Sequence, residues 1–307
     1  MYSFSEISRE LNKYIDTLDL SGDPQSLYEP IKYSLEGGGK RLTILACNIF
    51  SENPYSALPA AAAIEVFHNF TLLHDDIMDN AAVRRGKPSV FNKWGQNSAI
   101  LSGDAMVICA YKLLYQTPTE YLASVLSCFN YMALAVCEGQ QYDMEFETRN
   151  DVREEEYIEM IRLKTSVLLA CALKLGAVLA DAPQSDADAL YAFGEKMGLA
   201  FQLQDDYLDV YGDFKVFGKK IGGDILCNKK TFMLINALAK ADGKMREELE
   251  RWLEATDYVP EDKVAAVTRI YNELNIPQLA LDKINSYFEE AKMALESVQV
   301  PDEKKKY

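Results

Sequence analysis

The sequence predicts an all-α chain, and three observations predict it. Apolar residues recur with the 3.6-residue period of a helix along almost the whole chain. Alternating strand patterns rich in β-branched residues are scarce. Breakers fall far enough apart to leave room for long helices: Gly22-Asp23-Pro24, Gly37-Gly38-Gly39, Asn53-Pro54, Gly86-Lys87-Pro88, Thr117-Pro118, Ala182-Pro183, Gly212-Asp213, Gly222-Gly223 and Ile276-Pro277. No Pro/Gly/Ser-rich linker divides the 307 residues, and 49% of them are apolar, enough for a sizeable core. The expectation is one domain over residues 1–307, a large helical bundle around a deep central cavity.

Each element follows from this punctuation. Gly37 to Arg41 opens an early helix, with glycines that permit close backbone approach. Residues 57–79 follow Asn53-Pro54, and the alanine run 60–63 gives them strong helical propensity. Residues 98–115 end before Thr117-Pro118, and 120–147 begin just after it. Residues 154–180 read as one helix that stops at Ala182-Pro183, and 186–211 as another that stops at Gly212. A shorter helix covers 231–239. Segment 165–182 is the most apolar stretch, but Lys174 interrupts it, so a buried helix fits better than a membrane span.

Two copies of one acidic pattern carry the chemistry. The first is Asp75-Asp76-Ile77-Met78-Asp79 and the second Asp205-Asp206-Tyr207-Leu208-Asp209. Positions i and i+4 share a helix face, so Asp75 pairs with Asp79 and Asp205 with Asp209. Acidic triplets are common on solvated faces, but Leu72-Leu73-His74 and Phe201-Gln202-Leu203-Gln204 lead into these two. Carboxylates next to apolar runs need cationic partners. Two such faces turned toward each other would form a cage of hard oxygen ligands, which suits Mg²⁺ shared with a diphosphate. Basic residues follow the triplets at Arg84-Arg85 and at Lys219-Lys220, with Asn228-Lys229-Lys230 beyond. Lys164, inside the apolar run 161–169, is costly there unless paired or snorkelling.

Bulk charge narrows the partners. A net charge of -15 disfavours nucleic acid and anionic membranes. The six cysteines show neither zinc spacing nor a disulfide framework, which suits a reducing cytoplasm. The first residues, Met1-Tyr2-Ser3-Phe4, do not read as a signal peptide.

Together these motifs resemble the trans-isoprenyl diphosphate synthases, the polyprenyl synthetase family. The likeness runs from about Gly37 to Lys230 and includes Trp94-Gly95, Leu101-Ser102-Gly103-Asp104-Ala105, Glu138-Gly139-Gln140 and Lys164-Thr165. It implies a short-chain farnesyl or geranylgeranyl diphosphate synthase that condenses isopentenyl diphosphate with allylic diphosphates, with Mg²⁺ as cofactor. By resemblance, Asp75, Asp79 and Asp205 would hold Mg²⁺, with Asp76 and Asp209 in support. Arg84, Lys164, Lys220 and Lys229 would bind the allylic diphosphate, and Lys40, Arg85 and His68 the isopentenyl diphosphate. Thr165 and Gln202 would sit near the developing cation. Phe70, with Phe67 below it and Thr71 beside it, would limit product length to C15 or C20. A homodimer is implied on the same ground.

One departure stands out. The family reads Gly-Lys-Arg-x-Arg-Pro where this chain has Gly39-Lys40-Arg41-Leu42-Thr43-Ile44. Thr43 replaces an arginine expected to hold isopentenyl diphosphate, which makes Arg41 the candidate substitute. The stretch from Lys40 to Asp75 is also shorter than the family's by about one helical turn. A class I terpene cyclase and a non-catalytic partner subunit are the alternatives. The all-aspartate second triplet and its lysines count against both.

Overall fold

The computed structural model describes residues 2–36, 41–213 and 221–306. Helix α1 (Phe4–Asp16) starts at a capping box, in which Ser3 Oγ accepts the Glu6 amide and a Glu6 carboxylate oxygen accepts the Ser3 amide. Helices α2 (Gln25–Leu35), α3 (Leu42–Phe50) and α4 (Leu58–Met78) follow. Then comes the one strand pair among the described residues, β1 (Val83–Arg84) antiparallel to β2 (Lys87–Pro88). Its two turn residues, Arg85 and Gly86, have φ of 53° and 75°, the type I′ geometry that closes the tightest hairpins. Helix α5 (Val90–Trp94) is capped by Ser89 and leads to α6 (Gln96–Leu114) and α7 (Thr119–Thr148).

The all-α expectation holds, with one revision. The predicted single helix over 154–180 is α8 (Glu154–Ile161) and α9 (Val167–Leu179), separated by a π-helical turn over Arg162–Ser166. After α10 (Gln184–Tyr211) come α11 (Gly223–Leu226), α12 (Phe232–Lys240), α13 (Gly243–Glu254), α14 (Pro260–Glu273) and α15 (Ile276–Ser297).

Backbone contacts divide the chain into two compact units. The first comprises Met1–Tyr131, Cys171–Tyr191 and Ser297–Tyr307, and the second Met132–Ala170 and Ala192–Glu296. In the first, α4 is the central element. Its alanines 60–63 are all buried, and α1, α2, α3 and α6 pack on it. Small residues set the close approaches. A Cβ at Gly103 of α6 would lie 2.4 Å from His74 Nε2, so the imidazole packs where a side chain would otherwise stand. A Cβ at Gly176 of α9 would lie 2.1 Å from the Thr43 carbonyl oxygen of α3. Helix α9 is largely interior, and its one lysine, Lys174, reaches Asp188 Oδ1 at 2.6 Å.

In the second unit, α8, α12, α14 and α15 close on a core that includes Tyr157, Phe232, Ile270 and Ile284. The π turn is pressed between two glycines. A Cβ at Gly139 of α7 would lie 2.3 Å from the Lys164 amide nitrogen, and one at Gly198 of α10 would lie 2.5 Å from the Ser166 Cα.

Gly176→Ala puts a methyl group against backbone rather than against a yielding side chain. It is expected to destabilise the chain by about 1–3 kcal/mol, seen as a lower urea midpoint. An unchanged midpoint would mean that α3 shifts freely.

Candidate active site

The first triplet ends α4. Asp79 is the C-cap residue, exposed, and its amide donates to the Asp75 carbonyl at 2.8 Å. Asp75 and Asp79 thus continue one helical face, as expected. Asp76 points elsewhere: it is 3% exposed, and Arg84 Nε donates to its Oδ1 at 2.7 Å. Arg84 also donates through Nη2 to Asp75 Oδ2 at 3.0 Å. Asp76 was expected to support the metal. Its carboxylate is buried and holds Arg84, and burial pushes its pKa up while Arg84 pulls it back. The negative end of the α4 dipole adds to the field of these three carboxylates.

The hairpin explains how basic residues reach this region. Arg84 ends β1 and folds back onto α4, while Arg85 occupies the turn. Arg85 lines a cavity of about 230 Å³ with Asn69, Leu72, Asp76, Arg84 and Ser89. Burial, and then the neighbouring Arg84 guanidinium, push its pKa down; Glu65 opposes them. Glu65 also takes Arg41. Its Oε1 lies 3.2 Å from Arg41 Nη1 and accepts the Arg41 amide at 3.3 Å, with both side chains below 10% exposed (4% and 8%). Asn12 accepts a further bond from Arg41 Nη2. Arg41, the candidate substitute for the arginine that Thr43 replaces, is thus buried and paired with Glu65, while its Nε has no hydrogen-bond partner among the described residues. Thr43 is itself buried on α3.

Higher on α4, His68 is half-buried. Phe70 stacks edge-on against His74 (4.7 Å between centroids) and tilts against Phe67 (5.3 Å). Phe67 meets Phe129 at 5.1 Å, and Phe129 meets Tyr111 at 5.4 Å. Thr71 turns its hydroxyl back to the His68 carbonyl at 2.8 Å. The chain-length candidates therefore head an aromatic column that closes with the fully buried Phe129.

The second triplet lies in the last turns of α10. Asp206 is buried, and a continuous network ends on it. Thr165 Oγ1 donates to Gln202 Oε1 at 3.2 Å, Gln202 Nε2 donates to Asp206 Oδ1 at 3.2 Å, and the Tyr157 hydroxyl donates to Asp206 Oδ2. Burial, then nearby Asp224, push Asp206 up to about 7 against the pull of Tyr157, Lys229 and Gln202. Asp209 braces the next element: its Oδ2 accepts the Asp224 amide at 3.0 Å, and its carbonyl accepts the Gly222 amide at 2.6 Å. Lys164 projects from the π turn to Asp143 Oδ2 at 2.6 Å, which answers the cost of a lysine in an apolar run. Asp205 and Lys229 are among the described residues, whereas Lys40 and Lys220 lie outside them.

Glu65, Asp143 and Tyr157 escaped the sequence reading. Each sits in an apolar or acidic segment with nothing local to mark it. Among the described residues no group of three or more His, Cys, Asp or Glu side chains forms a ready-made metal cage.

The sequence profile described as polyprenyl synthetase matches residues 24–274. A geranylgeranyl diphosphate synthase of Methanosarcina mazei is 40% identical over 304 residues, 97% of this chain and 91% of that one. A crystal structure of a geranylgeranyl pyrophosphate synthase superposes with a TM-score of 0.94 at 40% identity, covering 100% of this chain and 96% of the other. The geranylgeranyl pyrophosphate synthase of Corynebacterium glutamicum, solved with isoprenyl diphosphate and magnesium, gives 0.84 at 26% identity, covering 98% and 94%.

If Arg41 is structural, Glu65→Gln leaves a buried guanidinium without its counter-charge. Stability should fall by about 3–5 kcal/mol, measured by urea unfolding. A loss under about 1 kcal/mol would return Arg41 to the list of substrate contacts.

Proposed function

Since the chain belongs to the polyprenyl synthetase family, we propose that it condenses isopentenyl diphosphate with allylic diphosphates, head to tail, and stops at geranylgeranyl diphosphate. One observation carries this reading. Both acidic triplets are intact at the C-terminal ends of long helices, and each unit sets a cation beside acidic groups, Arg84 on Asp75 and Asp76 and Lys164 on Asp143. The donor set is hard carboxylate oxygen at negative helix ends, which fits magnesium that takes part of its shell from diphosphate and water. By the family pattern Asp75, Asp79 and Asp205 would hold magnesium, which would supply Lewis-acid neutralisation of the leaving diphosphate.

The chain's own residues do the rest. Arg84, Lys164, Lys220 and Lys229 hold the allylic diphosphate with charge-assisted bonds, so the carbon–oxygen bond ionises. Thr165 and Gln202, hydrogen-bonded to each other, present oxygen dipoles to the allylic cation. Arg85, His68 and Lys40 hold isopentenyl diphosphate without the arginine that Thr43 replaces. Its double bond attacks the cation, and the departing diphosphate takes the proton. Phe70 lies about 7.5 Å along α4 from Asp75 and Phe67 about one turn further. Phe70, backed by Phe67 and Phe129, forms the floor that stops the growing tail, with Thr71 leaving only a partial gap beside it.

The exposed apolar stripe supports a homodimer. Leu101 and Ile108 of α6 and Tyr115 at its C-cap are 60%, 62% and 79% exposed at seven-residue spacing, and Tyr131 of α7, in the same unit, is 52% exposed. Helix α7 is long and apolar enough to cross a membrane by length and composition, with 33% of its most apolar window buried. We assign the exposed residues to the face of a second copy.

Two measurements test these readings. Purified chain, Mg²⁺, isopentenyl diphosphate and dimethylallyl, geranyl or farnesyl diphosphate should give a C20 product by mass, and Phe70→Ala should lengthen it. Mg²⁺-dependent binding without elongation would favour the partner-subunit reading, for which Thr43 is the specific observation. Light scattering should return twice the 34.6 kDa chain mass, and Leu101→Lys with Ile108→Lys should halve it; a wild-type mass of one chain would sink the dimer.

A further inference from the structure

Helix α14 carries a lysine that the reading above does not use. Lys263 is 1% exposed, yet no carboxylate pairs with it among the described residues. Its partners are neutral. Nζ donates to Asn228 Oδ1 at 2.7 Å and lies 4.5 Å from the centre of the Tyr258 ring. Burial pushes the ammonium down from the ordinary lysine range. A buried cation held by an amide and a ring, with the Cys227 thiol near it and no carboxylate, is expensive, so what it holds is informative.

It holds the turn that presents Lys229. Helix α11 ends in a full Schellman motif: the Asn228 amide donates to the Ile225 carbonyl at 3.2 Å and the Lys229 amide to the Asp224 carbonyl at 2.9 Å. The left-handed residue of that motif is Asn228, with φ of 54°. Glycine is the usual choice there, because it has no Cβ to strain. Asparagine adds a side chain that ties the turn on two sides, accepting from Lys263 and donating through Nδ2 to the Leu253 carbonyl at 2.9 Å. The Tyr258 hydroxyl adds a bond to the Leu226 carbonyl at 3.3 Å. At the other end of α11, Gly222 is seated against α14: a Cβ there would lie 2.7 Å from Val264 Cγ2. Asp209 takes the Asp224 amide. Helix α14 therefore grips both ends of a four-residue helix that links the second triplet to Lys229.

We propose that Lys263 and Asn228 form a clasp that positions Lys229, and with it the allylic diphosphate. Both are positioning residues, and their roles rest on the reading of Lys229 as a diphosphate ligand. The clasp predicts a selective kinetic effect that loosened packing alone does not produce. The Michaelis constant for the allylic partner rises, while that for isopentenyl diphosphate, held by residues of the first unit, does not.

The test is steady-state kinetics of the full chain with Mg²⁺, geranyl diphosphate and isopentenyl diphosphate. Asn228→Gly keeps the left-handed turn unstrained and removes only the clasp, and Lys263→Met keeps the buried volume and removes only the donor. Each is expected to raise KM for geranyl diphosphate about fivefold or more and to leave KM for isopentenyl diphosphate within about twofold. In a Lys229→Ala background, Asn228→Gly should add nothing. Unchanged KM values alongside a lowered Tm, or both KM values rising together, would reduce the clasp to packing. Should Lys263→Met fail to fold, Asn228→Gly decides alone. If the wild-type chain binds geranyl diphosphate but does not elongate it, the elongation reading fails by itself, and calorimetric affinity for geranyl diphosphate replaces KM in the same comparison. If the wild-type chain neither elongates nor binds, both readings fall.

Discussion

Negative charge collected at the ends of two long helices is the constraint the other features answer. A helix carries about half a negative charge at its C-terminus, and α4 and α10 each add three aspartates there. Left alone, such an end would repel its own carboxylates and lose stability. The chain divides the problem within each triplet. The outer aspartates keep one helical face, and the middle one turns inward and is satisfied by protein groups, Asp76 by Arg84 and Asp206 by Tyr157 and Gln202. The inward residue ties the helix end to the rest of its unit. Each triplet is therefore one anchor and two candidate ligands, a finer division than the pattern alone suggests.

The same logic explains the arginines. Arg41, Arg84 and Arg85 are all expected to meet diphosphate, Arg84 the allylic one and the other two isopentenyl diphosphate, yet their contacts within the protein differ. Arg84 counters α4, Arg41 is consumed by Glu65, and Arg85 faces the cavity. Glu65 decides this allocation, since it attracts both Arg41 and Arg85 but makes its close contact with Arg41. Thr43 then has a physical reading. An arginine there would start from a buried position on α3, beside the point where α3 and α9 meet at Gly176. The compact packing of α3 and the lost arginine are consistent with each other.

Much of this was legible in the sequence, and the rest was hidden for identifiable reasons. Long helices with periodic apolar faces and proline stops announce themselves, so α4, α6, α7, α10 and α12 fall close to their predicted bounds. The π turn does not, because one wide turn leaves no mark on apolar periodicity. Its only traces are Gly139 and Gly198, far off in sequence, whose missing side chains make room for it. The hairpin shows in the sequence only as the breaker Gly86-Lys87-Pro88, since strands of two residues carry no alternation. The burial of Arg41 was hidden because a basic motif shows charge but not the buried carboxylate, 24 residues on, that it meets.

The π turn also shows why Lys164 and Thr165 are adjacent. In a regular α-helix neighbouring residues diverge by about 100°, which would send one of them away from any shared site. A turn with i to i+5 bonding is wider and changes that angle, and such turns recur where helices carry function. Here Lys164 reaches Asp143 while Thr165 reaches Gln202, so two successive side chains serve two different partners in one unit. Gly139 and Gly198 hold the backbone of that turn by contact, so the wide turn is fixed from both sides. The positions of Lys164 and Thr165 are thus set by backbone geometry, with little left to side-chain flexibility.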